Sequence, residues 1–263
     1  MTMTEVFQRR VEGHVVVFTL DRPKANAIDD VTSRHMGDAF AAFRDDPELR
    51  VAVITGAGNR IYSAGWDLKA ASEGLSEDAD YGVGGFAGLD VLAECNKPLI
   101  AAVNGVAVGG GVELMLACDL VVAADHATFS FPETSLGNMA DAGGVQRLPR
   151  RLPRAIALEM LLTGRRMTAE EALGWGLINA VVPREAVLDR AMEYARLIAD
   201  GAPLATQAIK EVIRGLETLS DVEAFAATRE RRFPTYIRML ASEDHAEGPR
   251  AFVEKRKPNW KGR

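Results

Sequence analysis

Three short apolar runs set the main constraint on the fold. RVAVITG (50–56), KPLIAAVNG (97–105) and LVVAAD (120–125) each read as a short, buried strand. Helical stretches alternate with them. DDVTSRHMGDAFAAFRDD (29–46) opens on a capping acid, Asp29 or Asp30, and repeats Val31, Met36, Phe40 and Phe43 near helical spacing. AGGVQRLPRRL and ALEMLLTG also read as helical, ATFSF reads as a further strand, and VFQRRVEGHVVVFTLDRP as a hairpin about a Glu12-Gly13 turn. The alternation predicts α/β architecture with βαβ-like units.

The chain has 263 residues, 48% of them hydrophobic, enough for one sizeable core with or without an appendage. Ser72–Gly88, rich in Gly, Ser and acid, is the clearest loop, and its length points to function or mobility. After about Asp200 the pattern becomes helical with no strand-like run. The expected division is a core over 1–199 and a helical region over 200–263, too small to fold confidently alone. No internal repeat is visible.

A formal charge of −6 and the lack of a dense Lys/Arg run argue against nucleic acid as a partner. An anionic ligand would need local cations. Cys95 and Cys118 are not a C-x-x-C pair and sit in apolar surroundings, which predicts free thiols in a reducing compartment. The opening MTMTEVFQRRVEG has no apolar signal core, and no run is apolar enough to span a membrane, so a cytoplasmic location is expected. His14, His35, His126 and His245 lack metal spacing, so no metal is expected. GVGGFAG and GAGNR do not complete a dinucleotide-binding fingerprint. Phosphate-loop, zinc-protease and serine-hydrolase motifs are absent.

Two glutamates carry the chemical interest. GGGVELMLACD (109–119) buries Glu113 in an apolar helix start, which is costly unless the carboxyl is paired or its pKa moves. The glycines before it let backbone N–H groups approach a ligand at a helix N-terminus, a candidate oxyanion donor with a carboxylate one turn away. Glu133 follows a strand in ATFSFPETSLG, and Asp141 lies near the next helix start. Two neighbouring carboxylates divide acid and base roles. The plain alternative is that Glu113 is a favourable first-turn charge and Glu133 an exposed turn residue.

DRPKANAID, ITGAGNRIYSAGWDLK, KPLIAAVNGVAVGGGVEL, PETSLGNMADAGGVQRL and AFVEKRKP resemble, in order, the landmarks of the crotonase (enoyl-CoA hydratase/isomerase) superfamily, from about Val15 to Lys257. A closer likeness, carried by LDRPKANAID, SAGWDLKAA, GGFAGL, TGRRM and EKRKPNWKGR, lies to its carnitinyl-CoA-dehydrating branch. The resemblance implies a spiral of ββα units followed by a C-terminal helical region that forms trimers, often stacked as hexamers. It implies an acyl-CoA substrate and no cofactor beyond the coenzyme A of the substrate itself. The oxyanion hole maps onto the backbone N–H groups of Trp66 and Gly110, next to Gly109. Glu113 and Glu133 match the hydratase acid/base pair. Lys24, Ala25 and Lys69 match positions near the nucleotide. Ala64, Asp67 and Leu68 match the stretch lining adenine and pantetheine, largely through backbone. Phe252 and Lys255 match positions that reach coenzyme A, in some members from a neighbouring subunit. Each lysine taken singly reads as a solvated surface charge.

GNMADAGG departs from the simple hydratases, lacking the proline common at Ala140 and carrying an acid at Asp141. The resemblance offers Asp141 as a proton carrier, as in the dienoyl-CoA isomerases, or as a charge facing a cationic acyl group. Its plain reading is a helix N-cap. Trp66, with Tyr81 or Phe86, offers aromatic faces suited to a trimethylammonium group, or ordinary packing. Hydration is the first expectation, double-bond isomerisation through Asp141 the second. A non-catalytic, for example RNA-associated, binding protein on the same scaffold is a distant third.

Overall fold

The computed structural model describes residues 6–74, 76 and 79–263, so three positions of the expected 72–88 loop and the first five residues lie outside the described residues. The first half runs β1 (Phe7–Glu12), β2 (Val15–Leu20), β3 (Ala27–Ile28), α1 (Asp30–Asp45), β4 (Val51–Gly56), β5 (Ile61–Ser63), β6 (Gly65–Trp66) and α2 (Leu68–Ser72). It continues through α3 (Leu89–Glu94), β7 (Leu99–Val103), β8 (Val106–Val108), α4 (Gly110–Leu116), β9 (Leu120–Ala124) and β10 (Thr128–Ser130). Then come α5 (Gly144–Arg151), α6 (Arg154–Thr163), β11 (Met167–Thr168), α7 (Ala169–Gly174), β12 (Ala180–Val182) and α8 (Val187–Ala199). The last part is α9 (Pro203–Leu216), α10 (Asp221–Arg229), α11 (Pro234–Leu240) and α12 (Glu243–Val253).

A six-stranded sheet has the order β1-β2-β4-β7-β9-β12, and a four-stranded sheet the order β11-β10-β8-β5. Within the large sheet β2, β4, β7, β9 and β12 are parallel, and β1 is antiparallel to β2. The chain repeatedly gives one strand to the large sheet, the next to the small sheet, then a helix: β4, β5, α2; β7, β8, α4; β9, β10, α5. Each turn advances one strand along both sheets, which is the expected spiral of ββα units. The repeat is one of topology, so no sequence period announces it.

Burial explains which runs were legible. β4 and β7 are buried along their whole length, as parallel strands covered on both faces require. The β1 edge is exposed after Phe7 and carries FQRRVE, charges that discourage pairing with another chain. Asp29 caps α1 by accepting from Thr32 N, and the buried face of that helix includes Met36, Phe40 and Phe43. Phe40 meets Phe18 edge-on with ring centroids 5.3 Å apart, locking the hairpin to the helix. The hairpin turn falls at Gly13-His14 rather than Glu12-Gly13. Glu12 pairs with Val15, and Gly13 supplies φ +57°, which a two-residue turn needs.

Two buried amides hold the strand ends that frame the site. Asn104 donates to Gly56 O (2.7 Å) and Gly58 O (3.0 Å), tying the end of β4 to the β7–β8 corner. Asn26 donates to Ile61 O (3.0 Å) and Ala57 O (3.1 Å) and accepts from Arg22 N (3.1 Å), which draws the segment before β3 against β5 and the turn after β4. Satisfied buried polar groups of this kind specify one arrangement of the backbone.

No strand follows Val182 among the described residues, and α9–α12 form a helical C-terminal region. The chain end folds back onto it. Trp260 Nε1 donates to Asp200 O (2.9 Å), and buried Asp244 accepts from Lys261 N (2.7 Å) and Gly262 N (2.8 Å). No helix among the described residues is long and apolar enough to cross a membrane.

Candidate active site

β8 and β10 are parallel neighbours, and each leads directly into a glutamate. Beyond β8 the chain turns at Gly109 into α4, which carries Glu113; beyond β10 it enters a short 3-10 turn, Glu133–Leu136. Loops at the carboxyl ends of adjacent parallel strands converge, so residues twenty apart in sequence meet around one cavity of about 400 Å³. Glu113, Glu133, Gly109, Gly110, Trp66 and Asp141 all line it.

The glycines are needed for that convergence. Gly109 has φ +51° and ψ −119°, and a Cβ there would overlap Glu133 Oε1. Glu133 therefore rests directly on the turn that opens α4. Gly65 has φ +74°, and a Cβ there would overlap the Gly110 N–H, so β6 runs hard against the start of α4. The backbones of Trp66 and Gly110 thus reach one wall. As the first residue of α4, Gly110 has an N–H with no acceptor inside the helix. Phe86 lies over Gly110, where a Cβ would stand 2.6 Å from its ring.

Glu113 is 4% exposed, and its Oε1 accepts from Gly144 N at 2.9 Å. Burial pushes its carboxyl up to about 7, with the charges of Glu133 and Asp141 pushing the same way; the Gly144 N–H and the Arg147 guanidinium pull it back. Burial, then Asp141, also raises Glu133, against the pull of its own backbone N–H. Glu133 Oε2 is buried and, among the described residues, unpartnered. Two carboxyls raised in one cavity, with the charge of Glu133 acting on Glu113, are set to divide acid and base roles.

Asp141 lines the cavity, but it is not a helix cap. Gly143 is the N-cap of α5 and makes no side-chain cap bond, so the capping reading is corrected. The chain makes one further turn after Asp141 before α5 begins, which leaves that carboxylate exposed at the cavity. Trp66, Tyr81 and Phe86 all line the same cavity, with the Tyr81 and Phe86 rings edge-on at 5.9 Å. Trp66 Nε1 is buried without a hydrogen-bond partner among the described residues.

The other expected binding residues divide. Ala64 and Leu68 line the cavity, and Ala25 supports it by accepting from Ala64 N (3.0 Å). Asp67 caps α2 and pairs with Arg22 at 2.6 Å, so its side chain is used within the protein. Lys24 is exposed and outside the cavity lining. Lys69 is exposed and lies 3.7 Å from Glu73 one turn on. Phe252, 85% exposed, and Lys255, just past the end of α12, also lie outside the lining.

Two contributors escaped the sequence reading, the Gly144 N–H and Arg147. Both belong to GGVQRLPRR, whose only local signal is a glycine pair before a strongly amphipathic helix. Their relevance depends on α5 packing beside α4, thirty residues away.

A family model described as enoyl-CoA hydratase/isomerase matches residues 10–263. The chain is 55% identical over 261 residues to a carnitinyl-CoA dehydratase from Proteus mirabilis, covering 99% of this chain and 100% of that one. It is 56% identical over 260 residues to a carnitinyl-CoA dehydratase from Salmonella arizonae, with the same coverage. Among solved structures, an enoyl-CoA hydratase from Mycobacterium tuberculosis superposes with a TM-score of 0.90 at 37% identity, covering 98% of this chain and 99% of that one. An enoyl-CoA hydratase from Bacillus anthracis gives a TM-score of 0.89 at 32% identity, covering 98% and 100%.

Proposed function

Because the chain belongs to the enoyl-CoA hydratase/isomerase family, we propose that it is a hydro-lyase acting on an acyl-CoA thioester, with carnitinyl-CoA and its dehydrated enoyl product as the substrate pair. The observation that carries this reading is the pair Glu113 and Glu133, both raised in pKa, in one cavity with the Gly109–Gly110 helix start.

The thioester oxygen sits against the N–H groups of Gly110 and Trp66. In dehydration the Cα–H bond breaks, its proton passes to the ionised carboxyl, and its electrons delocalise onto that oxygen as an enolate. The enolate then forms the Cα=Cβ bond as the Cβ–O bond breaks, and the departing hydroxyl takes a proton from the protonated carboxyl and leaves as water. Hydration is the reverse. Donors aimed at the developing oxyanion contribute roughly 3–4 kcal/mol each to such a step, and a positioned acid or base roughly 10²–10⁴ in rate. Water exclusion around Glu113 strengthens both terms.

The cavity also suits a cationic acyl group. Trp66, Tyr81 and Phe86 present aromatic walls, and Asp141 adds a carboxylate. Lys24, Lys69 and Lys255 are assigned to the coenzyme A phosphates, with Phe252 and Lys255 acting from a neighbouring subunit of a trimer or hexamer. Exposed apolar side chains on the outer helices, among them Leu162, Ile209, Ile213 and Phe225, support that assembly. The two buried free cysteines fit a reducing, cytoplasmic setting. A second reading, double-bond isomerisation with Asp141 carrying the proton, draws on the position of Asp141 in the same cavity.

Turnover in H₂¹⁸O separates the two: label entering the hydroxyacyl product supports the hydro-lyase, and label-free conversion supports the isomerase. Glu113→Gln and Glu133→Gln should each lower kcat by at least about 100-fold. Near-full turnover by either variant would overturn the two-carboxylate reading.

A further inference from the structure

Glu113 needs to release its proton as well as hold it. A carboxyl buried this deeply, beside two other carboxyls, tends to remain protonated. Glu133 faces it from the turn after β10, Asp141 from the turn before α5, and Arg147 from α5 itself. Arg147 is the one cation among these groups.

Its placement is specific. Gly144 N donates to Glu113 Oε1 at 2.9 Å, and Arg147 stands three residues later on the same helix. The guanidinium folds back over the preceding turn, where a Cβ on Gly143 would overlap Nη1. That fold is possible because residue 143 is a glycine, at φ +133°. Nη1 is buried with no hydrogen-bond partner among the described residues, so part of the charge is uncompensated by direct contact. Groups facing Arg147 are Glu113 and Cys118 from α4 and the residues after it, Asp90 from α3, and Arg150 and Arg151 on its own helix. Cys118 is a fully buried thiol whose pKa is pushed up by burial and stays neutral, and Arg150 pairs with Glu217 at 2.9 Å.

We propose that Arg147 is a positioning residue for Glu113: folded over Gly143, behind the N–H that fixes Glu113 Oε1, its charge keeps that carboxyl able to ionise. The inference rests on the acid/base reading of Glu113. Arg147 does not line the cavity and does not touch the substrate. It acts by stabilising the ionised form of Glu113 through the buried start of α5, although Arg147 is half-buried and lines a neighbouring groove with Leu116 and Asp119, where water screens part of its charge.

Arg147→Met removes the charge and keeps most of the apolar stem. The test is an infrared titration of the carboxyl band that is missing in Glu113→Gln, read on the full-length protein, together with the pH profile of kcat/KM. In Arg147→Met the Glu113 midpoint should rise, and kcat at neutral pH should fall with KM nearly constant. Arg147→Lys restores a cation and should return the midpoint most of the way. An unmoved midpoint in Arg147→Met overturns the proposal. So does a midpoint in Arg147→Lys raised as far as that of the Met variant, and this second arm decides the matter if the Met variant does not fold. The infrared readout needs no turnover. If Glu113→Gln is fully active, the proposed function of the site fails whatever Arg147 does; if Glu113→Gln is inactive and the Arg147→Met midpoint is unmoved, only the role of Arg147 fails.

Discussion

Gly109→Ala tests the geometry of the site with a single methyl group. Gly109 is buried at φ +51° and ψ −119°, a region that residues with a Cβ rarely adopt. Its backbone is pinned on both sides: the N–H donates to Ser130 O at 2.9 Å, and the carbonyl accepts from Val112 N (2.8 Å) and Glu113 N (3.0 Å). The new Cβ would overlap Glu133 Oε1, so the carboxylate is the part that yields, retreating by about 1 Å to reach normal contact. Displacement of a reacting group by about 1 Å costs on the order of 100-fold in rate, so kcat should fall by about that factor. The backbone strain adds about 1–3 kcal/mol of destabilisation, which in a chain of this size lowers Tm by roughly 2–6 °C. Gly58→Ala is the control, because Gly58 has φ +82° with nothing within 4 Å of the added Cβ. It should lower Tm and leave kcat unchanged. Hydration of the enoyl thioester, followed by loss of its conjugated absorbance, gives kcat, and thermal melts give Tm. A Gly109→Ala enzyme with kcat within about threefold of the parent would refute the reasoning, since Glu133 would then tolerate a displacement that acid/base chemistry does not.

Burial raises Glu113 to about 7 from the ordinary 4.5, so its neutral form favours the folded state. That contribution is complete below the unfolded-state pKa and is lost as pH rises through about 7; Glu113→Gln should therefore match the parent near pH 4 and exceed it near pH 8 by about 3 kcal/mol, seen as a Tm gap that widens up to about pH 7 and then levels off. A gap independent of pH would mean that this carboxyl titrates alike in the folded and the unfolded chain, and a gap still widening above pH 8 would mean that it stays protonated in the fold. Asp141→Asn should lower turnover of a trimethylammonium-bearing acyl-CoA more than that of crotonyl-CoA, and an equal fall in both would assign Asp141 to proton transfer. Lys255→Ala and Lys24→Ala should raise KM with little change in kcat, because phosphate contacts are the same in ground and transition states; unchanged KM in both would make them plain surface charges.

The elements legible in the sequence were those whose signal is local. The cap and apolar stripe of α1, and the wholly buried runs of β4 and β7, each lie within one short window. β3, β6, β8 and β11 escaped because two or three residues carry no period, and their strand character comes from a neighbour supplied by another part of the chain. The expected cap at Asp141 failed for a related reason. An acid near a helix start satisfies the local rule, but the chain makes one further turn, and Gly143 takes the cap position.

The sequence by itself determined the α/β class, through its alternating local runs, and the family, through motifs in a fixed order; it also marked Glu113, because a buried acid after a glycine run is anomalous in the sequence itself. Tertiary structure alone decided that Glu113 and Glu133 share one cavity. β8 and β10 had to become parallel neighbours before Glu133 could rest on Gly109. α5 had to lie beside α4 before the Gly144 N–H and the Arg147 charge could reach Glu113. A carboxyl's proton affinity is set by burial and by charges within several ångströms, and those distances exist only after residues far apart in the chain have been packed together.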